Sequence, residues 1–360
     1  MNPFFTYLRN LFVSDRVKSL EGLKGVKRAG AMFHNLTAAA KIPGMAVTIL
    51  KEGKVVLEKG YGHADLEKKI PVNPQNTVFR IASISKCITG IALAKMVEEG
   101  LLDLDASFYE YVPYFPKKEH DFTLRQLASH TAGIRAYRGK EFALNRPFSI
   151  KDSIEVFKND PLVFEPGKGY LYNSFDFVLL SLAMQEAAGI PFEDYVKEKV
   201  LDPLRLDNTF PACQVERSRD LYKKCGLLES QFYTKTATGF KKAGQVNNHY
   251  KMAGGGYLST SNDIAKLGNA ILNQELVKTE ILEEVFTSQK VNGEPTYYGL
   301  GFQVSQDAMG KKFVGHVGNS IGAYSNFFVY PDEKLVISIL INCTDPKVQK
   351  ELDSINILFN

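Results

Sequence analysis

The chain has 360 residues, of which 44% are hydrophobic and 23% charged, with a formal net charge of +4. This is the composition of a folded globular protein with enough apolar side chains for a sizeable core, and it excludes a disordered chain. Lys, Arg, Asp and Glu are intermixed with no continuous basic stripe, so nucleic acid is not an expected partner.

The first residues, MNPFFTYLRNLFVSDRVK, carry Phe4, Phe5, Leu8, Leu11 and Phe12 but are interrupted by Arg9 and Asn10. They lack the unbroken apolar run of a signal peptide and read as an amphipathic segment over residues 1–25 that docks on the body or rests on a membrane surface or partner. No stretch is long enough to span a bilayer. With no export signal visible the cytoplasm is the default compartment, and the periplasm if a leader has been removed. The four cysteines, Cys87, Cys213, Cys225 and Cys343, form no Cys-x-x-Cys pair and no close spacing with histidine, which argues against a disulfide framework or a zinc site.

From Met45 to Gly62 two β-rich runs flank Glu52-Gly53, the pattern of a hairpin. Residues 83–99 follow as a helix apolar on most faces, stopping at Gly100. The middle of the chain reads as mainly helical: Thr123-x-x-Gln126 opens one helix as a capping box, and Phe175 to Ala188 and Phe192 to Val200 supply two more. Thr260-x-x-Asp263 caps a helix through about Leu272. Then YYGLGFQVS, KKFVGHV, AYSNFFVYP and KLVISILIN alternate as an antiparallel meander with turns at Ala308-Met309-Gly310 and Asp332-Glu333, and Val348 to Leu358 close the chain as a helix. Strands at both ends with helices between them predict an α/β fold: an antiparallel sheet built from both chain ends, flanked by helices, with a mainly helical lobe inserted. The expected division is one catalytic domain over 26–360, with an α/β lobe at 26–104 and 255–360 and the helical lobe at 105–254.

The sharpest chemical signal is FRIASISK, which places Ser83 and Lys86 three residues apart at the start of the apolar helix. Residues i and i+3 share a helix face, so the amine reaches the hydroxyl. Burial and the positive end of the helix dipole both disfavour the ammonium form and pull the lysine toward the pKa of a useful base. Ser-x-x-Lys alone is short, and by chance it is a helix cap followed by a solvated lysine. The rest of the chain changes that balance.

With IPGMAV, TLRQLASHTAGI, FEPGKGYLYNS, LDPLRLDNT, AGGGYLSTSNDIAKLGNAI and GHVGNSIGAYSNFFVYP, the chain from about Ile42 to Asn342 resembles the serine β-lactamase and penicillin-binding-protein superfamily. The resemblance is to the group of class C β-lactamases, D-Ala-D-Ala carboxypeptidases and esterases. Through FRIASISK, SHTAGIRAY and YKMAGGGYLST it extends to the mitochondrial lactamase-like serine proteases and their bacterial relatives. It implies the β-lactamase/transpeptidase-like fold and a serine hydrolase acting through an acyl-enzyme on Ser83. The second family motif, Tyr-x-Asn, falls on Tyr172 and Ser174, with Tyr170 as the alternative register. Ser174 then stands in for an Asn that would hold the lysine and bind the substrate amide. Tyr172 is expected to move protons, with Lys86 supplying the field that a phenol titrating near ~10 needs.

The third motif, Lys-Thr-Gly in many members, reads His316-Val317-Gly318-Asn319. A histidine is mostly neutral at pH 7, so recognition of a β-lactam or D-Ala carboxylate is not expected, and His316 is read as donating a hydrogen bond to Tyr172 or to a substrate oxygen. The resemblance implies an oxyanion hole from the backbone N–H groups of Ser83 and Asn319, and Gly318 is expected to keep the carbonyl's approach clear. KTATG at Lys235 to Gly239 is a decoy without the right spacing. His130 is read as structural. His34, His63, His120 and His249 show no ligand spacing, so neither a metal nor a cofactor is implied.

Two other readings fit parts of the sequence. Gly318-Asn319-Ser320-Ile321-Gly322 matches the nucleophile elbow of α/β-hydrolases, but that elbow needs a following helix where this sequence reads as strands. A non-catalytic binder on the same fold would have lost its nucleophile or base, and Ser83, Lys86 and Tyr172 are all present. The expected function is amide or ester cleavage, peptidase- or esterase-like, on a small ester, amide or peptide, with a true β-lactamase or carboxypeptidase as the alternative. Substrate identity and oligomeric state are not written in the sequence.

Overall fold

Glu52 and Gly53 both take positive φ, 52° and 73°, the two-residue turn whose twist matches antiparallel strands. They join β1 (Gly44–Lys51) to β2 (Lys54–Asp65). The computed structural model describes residues 17–212 and 226–360. Residues 1–16 of the N-terminal amphipathic segment, with Phe4, Phe5, Leu8, Leu11 and Phe12, therefore lie outside the described residues, as do Cys213 and Cys225; Cys87 and Cys343 are buried free thiols.

The strands that follow are β3 (Ile70–Pro71), β4 (Gln303–Gln306), β5 (Lys312–Ser320), β6 (Ala323–Tyr330) and β7 (Leu335–Ile341). They join β1 and β2 in one seven-stranded sheet of order β4-β5-β6-β7-β1-β2-β3. The seam between the chain ends is the antiparallel pair β7–β1, from Met45 opposite Ile341 to Lys51 opposite Leu335. Both strands are buried on both faces. Period two sends Met45, Val47 and Ile49 with Ile337, Ile339 and Ile341 into one core layer, and Ala46, Leu50, Val336 and Leu340 into the other.

The first layer is closed by two terminal helices, α1 (Gly25–Ala38), which contributes Phe33 and Leu36, and α5 (Gln349–Asn356), which contributes Leu352 and Ile355. On the opposite face α4 (Ser261–Leu272) lies across β1, β6 and β7. Behind it run the two most apolar helices, α2 (Ser85–Glu98) and α3 (Phe175–Ala188). Both are buried on nearly every side, which is why their sequences show little amphipathic contrast.

Several local expectations are met by name. Thr123 accepts from the Gln126 amide and the Gln126 side chain returns to the Thr123 amide, the full capping box. Thr260 accepts from the Asp263 amide at 3.2 Å. Other segments differ. The serine of Ser-x-x-Lys lies in a 3-10 turn, Ala82–Ile84, and the α-helix starts only at Ser85. The segment from Phe192 is α-helical only to Val196 and continues as a π-helical turn to Leu201. The stretch between 105 and 254 also holds short strands, among them Tyr233–Thr236 and Gly239–Lys242, the hairpin that carries KTATG and pairs with Cys343–Thr344. No single helix among the described residues is long and apolar enough to cross a membrane.

Replacing Thr260 with Ala removes the side-chain cap of α4 at a fully buried position. A denaturant titration should show a loss of about 1 kcal/mol, typical of an N-cap truncation, with no change in slope.

Candidate active site

Strand Thr77–Arg80 pairs with Tyr257–Ser259 and delivers the chain into the turn that carries Ser83. Ala82, immediately before the serine, has φ 48°, a left-handed conformation that costs a non-glycine residue energy and persists only when its surroundings hold it. The holding contacts are present: Ser85 Oγ donates to the Ala82 carbonyl at 2.7 Å and accepts from the Tyr257 amide at 3.2 Å, and the Ile81 amide donates to the Tyr257 carbonyl. Ser83 is left half-buried at the mouth of a tightly braced turn.

Lys86, one turn on, is completely buried. Its Nζ donates to the Gly254 carbonyl at 2.8 Å and lies 3.5 Å from Ser83 Oγ, with the ring centres of Tyr172 and Phe177 at 4.7 Å and 5.2 Å. Burial lowers its pKa to about 7, while the neighbouring Cys87 and Asp176 act in the opposite sense. Tyr172 arrives from the loop before α3, and its hydroxyl donates to Ser83 Oγ at 2.7 Å. Serine, lysine and phenol thus meet at one oxygen.

The loop carrying Tyr172 is fixed by a buried polar clamp. The Leu171 amide donates to the His130 carbonyl at 3.0 Å. Asn173 Nδ2 donates to Asp176 Oδ2 at 2.6 Å and its Oδ1 accepts the Asp176 amide at 2.8 Å, while His130 Nδ1 lies 2.8 Å from the same Asp176 oxygen. The His130 ring meets Tyr172 edge-on at 4.6 Å. Burial disfavours the charged form of each partner, raising Asp176 well above and lowering His130 well below its ordinary value. Sequence reading missed Asp176 and Asn173; the available signal was a carboxylate in the first turn of an otherwise apolar helix.

Three expectations about contacts are corrected. Lys86 is held by the Gly254 carbonyl and not by Ser174, which stands at the N-terminus of α3 beside the Tyr137 phenol. A backbone carbonyl supplies the acceptor that Asn was expected to give. Tyr172 is not lowered by the lysine field: burial raises its pKa, and the bond to Ser83 only partly offsets this. His316 does not donate to Tyr172. Its Nδ1 lies 2.6 Å from the Val317 carbonyl and so carries the hydrogen, which leaves Nε2 to accept from the buried Tyr298 hydroxyl at 3.0 Å. Burial and the nearby Lys86 lower His316 to about 3, so it is neutral. Tyr298, unmarked in the sequence, packs against His130, Tyr172 and His316.

Gly318 and Asn319 lie on β5 opposite Ser325 and Tyr324. A Cβ on Gly318 would stand 2.3 Å from Ser325 Oγ and 2.7 Å from the Ile81 carbonyl. The glycine is needed for β5 to pack on the serine turn, a different reason from substrate clearance. Asn319 is exposed at the strand's end. The elbow reading of residues 318–322 fails, because they form the β5–β6 hairpin. Tyr170 is turned to the outer side of the cluster, 6.3 Å from the His130 and Tyr298 rings, and it is Tyr172 that reaches Ser83. Among the described residues no group of three or more His, Cys, Asp or Glu is placed to hold a metal ion.

Comparison with known proteins agrees with this architecture. The Beta-lactamase family model matches residues 30–359. The human serine beta-lactamase-like protein LACTB, mitochondrial, is 28% identical over 408 residues, covering 86% of this chain and 73% of its own length. Penicillin-binding protein 4* of Bacillus subtilis is 24% identical over 337 residues, covering 88% and 71%. The octameric penicillin-binding protein homologue from Pyrococcus abyssi superposes with a TM-score of 0.78 at 26% identity, covering 92% of this chain and 77% of that one. A sheet closed by both chain ends, a family match over nearly the whole length and a Ser-x-x-Lys pair at the head of the central helix lead to one conclusion: the chain is a serine hydrolase of the β-lactamase family.

Proposed function

We propose that the protein cleaves esters or amides through an acyl-enzyme on Ser83, with peptidase- or esterase-like rather than efficient β-lactam-hydrolysing activity. The observation that carries this reading is the convergence on Ser83 Oγ of the Tyr172 hydroxyl at 2.7 Å and the Lys86 amine at 3.5 Å. With a pKa near 7, Lys86 is substantially unprotonated at neutral pH and takes the serine proton as Oγ bonds to the substrate carbonyl carbon. Tyr172, kept protonated by burial, passes its proton to the departing oxygen or nitrogen and regains one from Lys86. Water then attacks the acyl ester, its proton goes to the same pair, and Ser83 leaves with its hydrogen restored.

The backbone N–H groups of Ser83 and Asn319 are assigned to the developing oxyanion. The close packing of β5 on the serine turn at Gly318 supports this, since it brings the two segments together. Weak β-lactam turnover is expected because the third-motif position offers neutral His316 where a permanent cation would grip a carboxylate.

Intact-mass analysis after treatment with a fluorophosphonate should show one adduct on the wild type and none on Ser83→Ala. Labelling that survives in Ser83→Ala refutes the assignment. With a simple aryl ester, kcat/KM should climb as pH rises through about 7, because the active base is the unprotonated amine. The alkaline limb should lie above the ordinary phenol range, because the active Tyr172 is the protonated form and its pKa is raised. Tyr172→Phe should lower kcat by about a hundredfold or more while leaving adduct formation on Ser83 detectable. Turnover of a chromogenic cephalosporin far above that of esters or short peptides would overturn the substrate preference.

A further inference from the structure

Neutral His316 leaves β5 without its cation, yet a second buried amine belongs to the framework of the active site. Lys251 is only 7% exposed. Its carbonyl accepts the amides of Gly254 at 3.0 Å and Gly255 at 2.9 Å, so it heads the same short turn whose Gly254 carbonyl holds Lys86. The ammonium spends one bond on the Phe142 carbonyl at 2.7 Å and lies 5.4 Å and 5.6 Å from the ring centres of Tyr137 and Tyr250. An ammonium has three N–H donors, and among the described residues the Phe142 carbonyl is the acceptor that it meets.

What surrounds that charge is the unusual part. Among the described residues no carboxylate is paired with Lys251. Burial lowers its pKa to about 8, and the charged groups that act in the same sense are Arg80 and, when protonated, Lys86. Arg80 has the field of Glu229, and Glu141, beside Phe142 in the chain, is spent on Arg135 at 2.7 Å and 3.1 Å. A cation taken out of water, facing other cations and lacking a counter-ion, is disfavoured unless an anion joins it.

We propose that Lys251 recognises a carboxylate on the acyl portion of the substrate, so that the enzyme prefers acyl compounds bearing a second, ionised carboxyl group. Lys251 packs on the Tyr137 ring, whose phenol meets Ser174 two residues after Tyr172, and its backbone carbonyl holds the turn that presents Gly254 to Lys86, so it adjoins the segments that frame Ser83 on the Tyr172 side. It does not stand on β5, the position that the third-motif lysine would have occupied. The inference rests on the reading of Ser83 as an acylated nucleophile and deepens it by naming the substrate class.

The test compares kcat/KM for the 4-nitrophenyl monoesters of glutaric and adipic acid with the same compounds methylated at the free carboxyl. The wild type should favour at least one ionised ester over its capped partner by about tenfold or more. Lys251→Met, which keeps the apolar stem, should reduce that ratio by about tenfold, and Lys251→Arg should retain most of it. A lysine that merely ties down the Phe142 loop would lower both esters alike in Lys251→Met and leave the ratio unchanged, which would overturn the proposal. A wild type with no preference would also overturn it. The ratio is independent of the folded fraction, so partial misfolding of a variant does not mask the result. If neither ester is turned over and no acyl adduct forms on Ser83, the hydrolase reading itself fails and this inference falls with it; turnover without preference sinks the inference alone.

Discussion

A lysine side chain held wholly inside the molecule is the constraint around which the active site is built. Lys86 has lost its water and has gained one carbonyl and one hydroxyl as bonding partners. Removing an ammonium from water disfavours its charged form, and that penalty lowers the pKa of the amine to about 7. The surrounding architecture serves this burial. The turn Met252–Gly255 supplies the carbonyl, the rings of Tyr172 and Phe177 cover two sides, and α2 is apolar along almost its whole circumference.

Burial also separates the jobs of the titratable groups. The same low-dielectric pocket that lowers Lys86 raises Tyr172 and lowers His316, so the amine is the group poised between two protonation states while the phenol and imidazole stay neutral. The imidazole's hydrogen is committed to its own backbone neighbour and its other nitrogen to Tyr298. His316 is thus a neutral, fixed component of an aromatic cluster with Tyr298, Tyr172 and His130. Behind the cluster, the Asn173–Asp176–His130 clamp fixes the loop that brings the Tyr172 phenol to Ser83.

Two cations adjoin the serine turn. Lys251 lies three residues before Gly254 and Arg80 three before Ser83, and Arg80 is anchored to the Ile321 carbonyl and over the Phe232 ring. The fold accommodates this because the two cations belong to the connections feeding the serine turn and the carbonyl turn, both of which the sheet already holds in place.

The sequence by itself determined whatever depends on near neighbours in the chain. The Glu52-Gly53 hairpin, the caps at Thr123 and Thr260 and the meander through β7 follow from a period of two and from residues with strong conformational preferences, and the three-residue spacing still brings Ser83 to Lys86 although the serine sits in a 3-10 turn ahead of the helix. The resemblance to a known family brought Tyr172 to the same list. Only the tertiary structure decided which partner each side chain takes. The Gly254 carbonyl replaces Ser174 at Lys86, Tyr298 captures His316, and the Ile81 carbonyl dictates Gly318, because each contact joins segments far apart in the chain and a backbone carbonyl leaves no mark in residue identity. The direction of the pKa shifts belongs to the same class, since desolvation is a property of everything packed around a group and not of its neighbours in sequence.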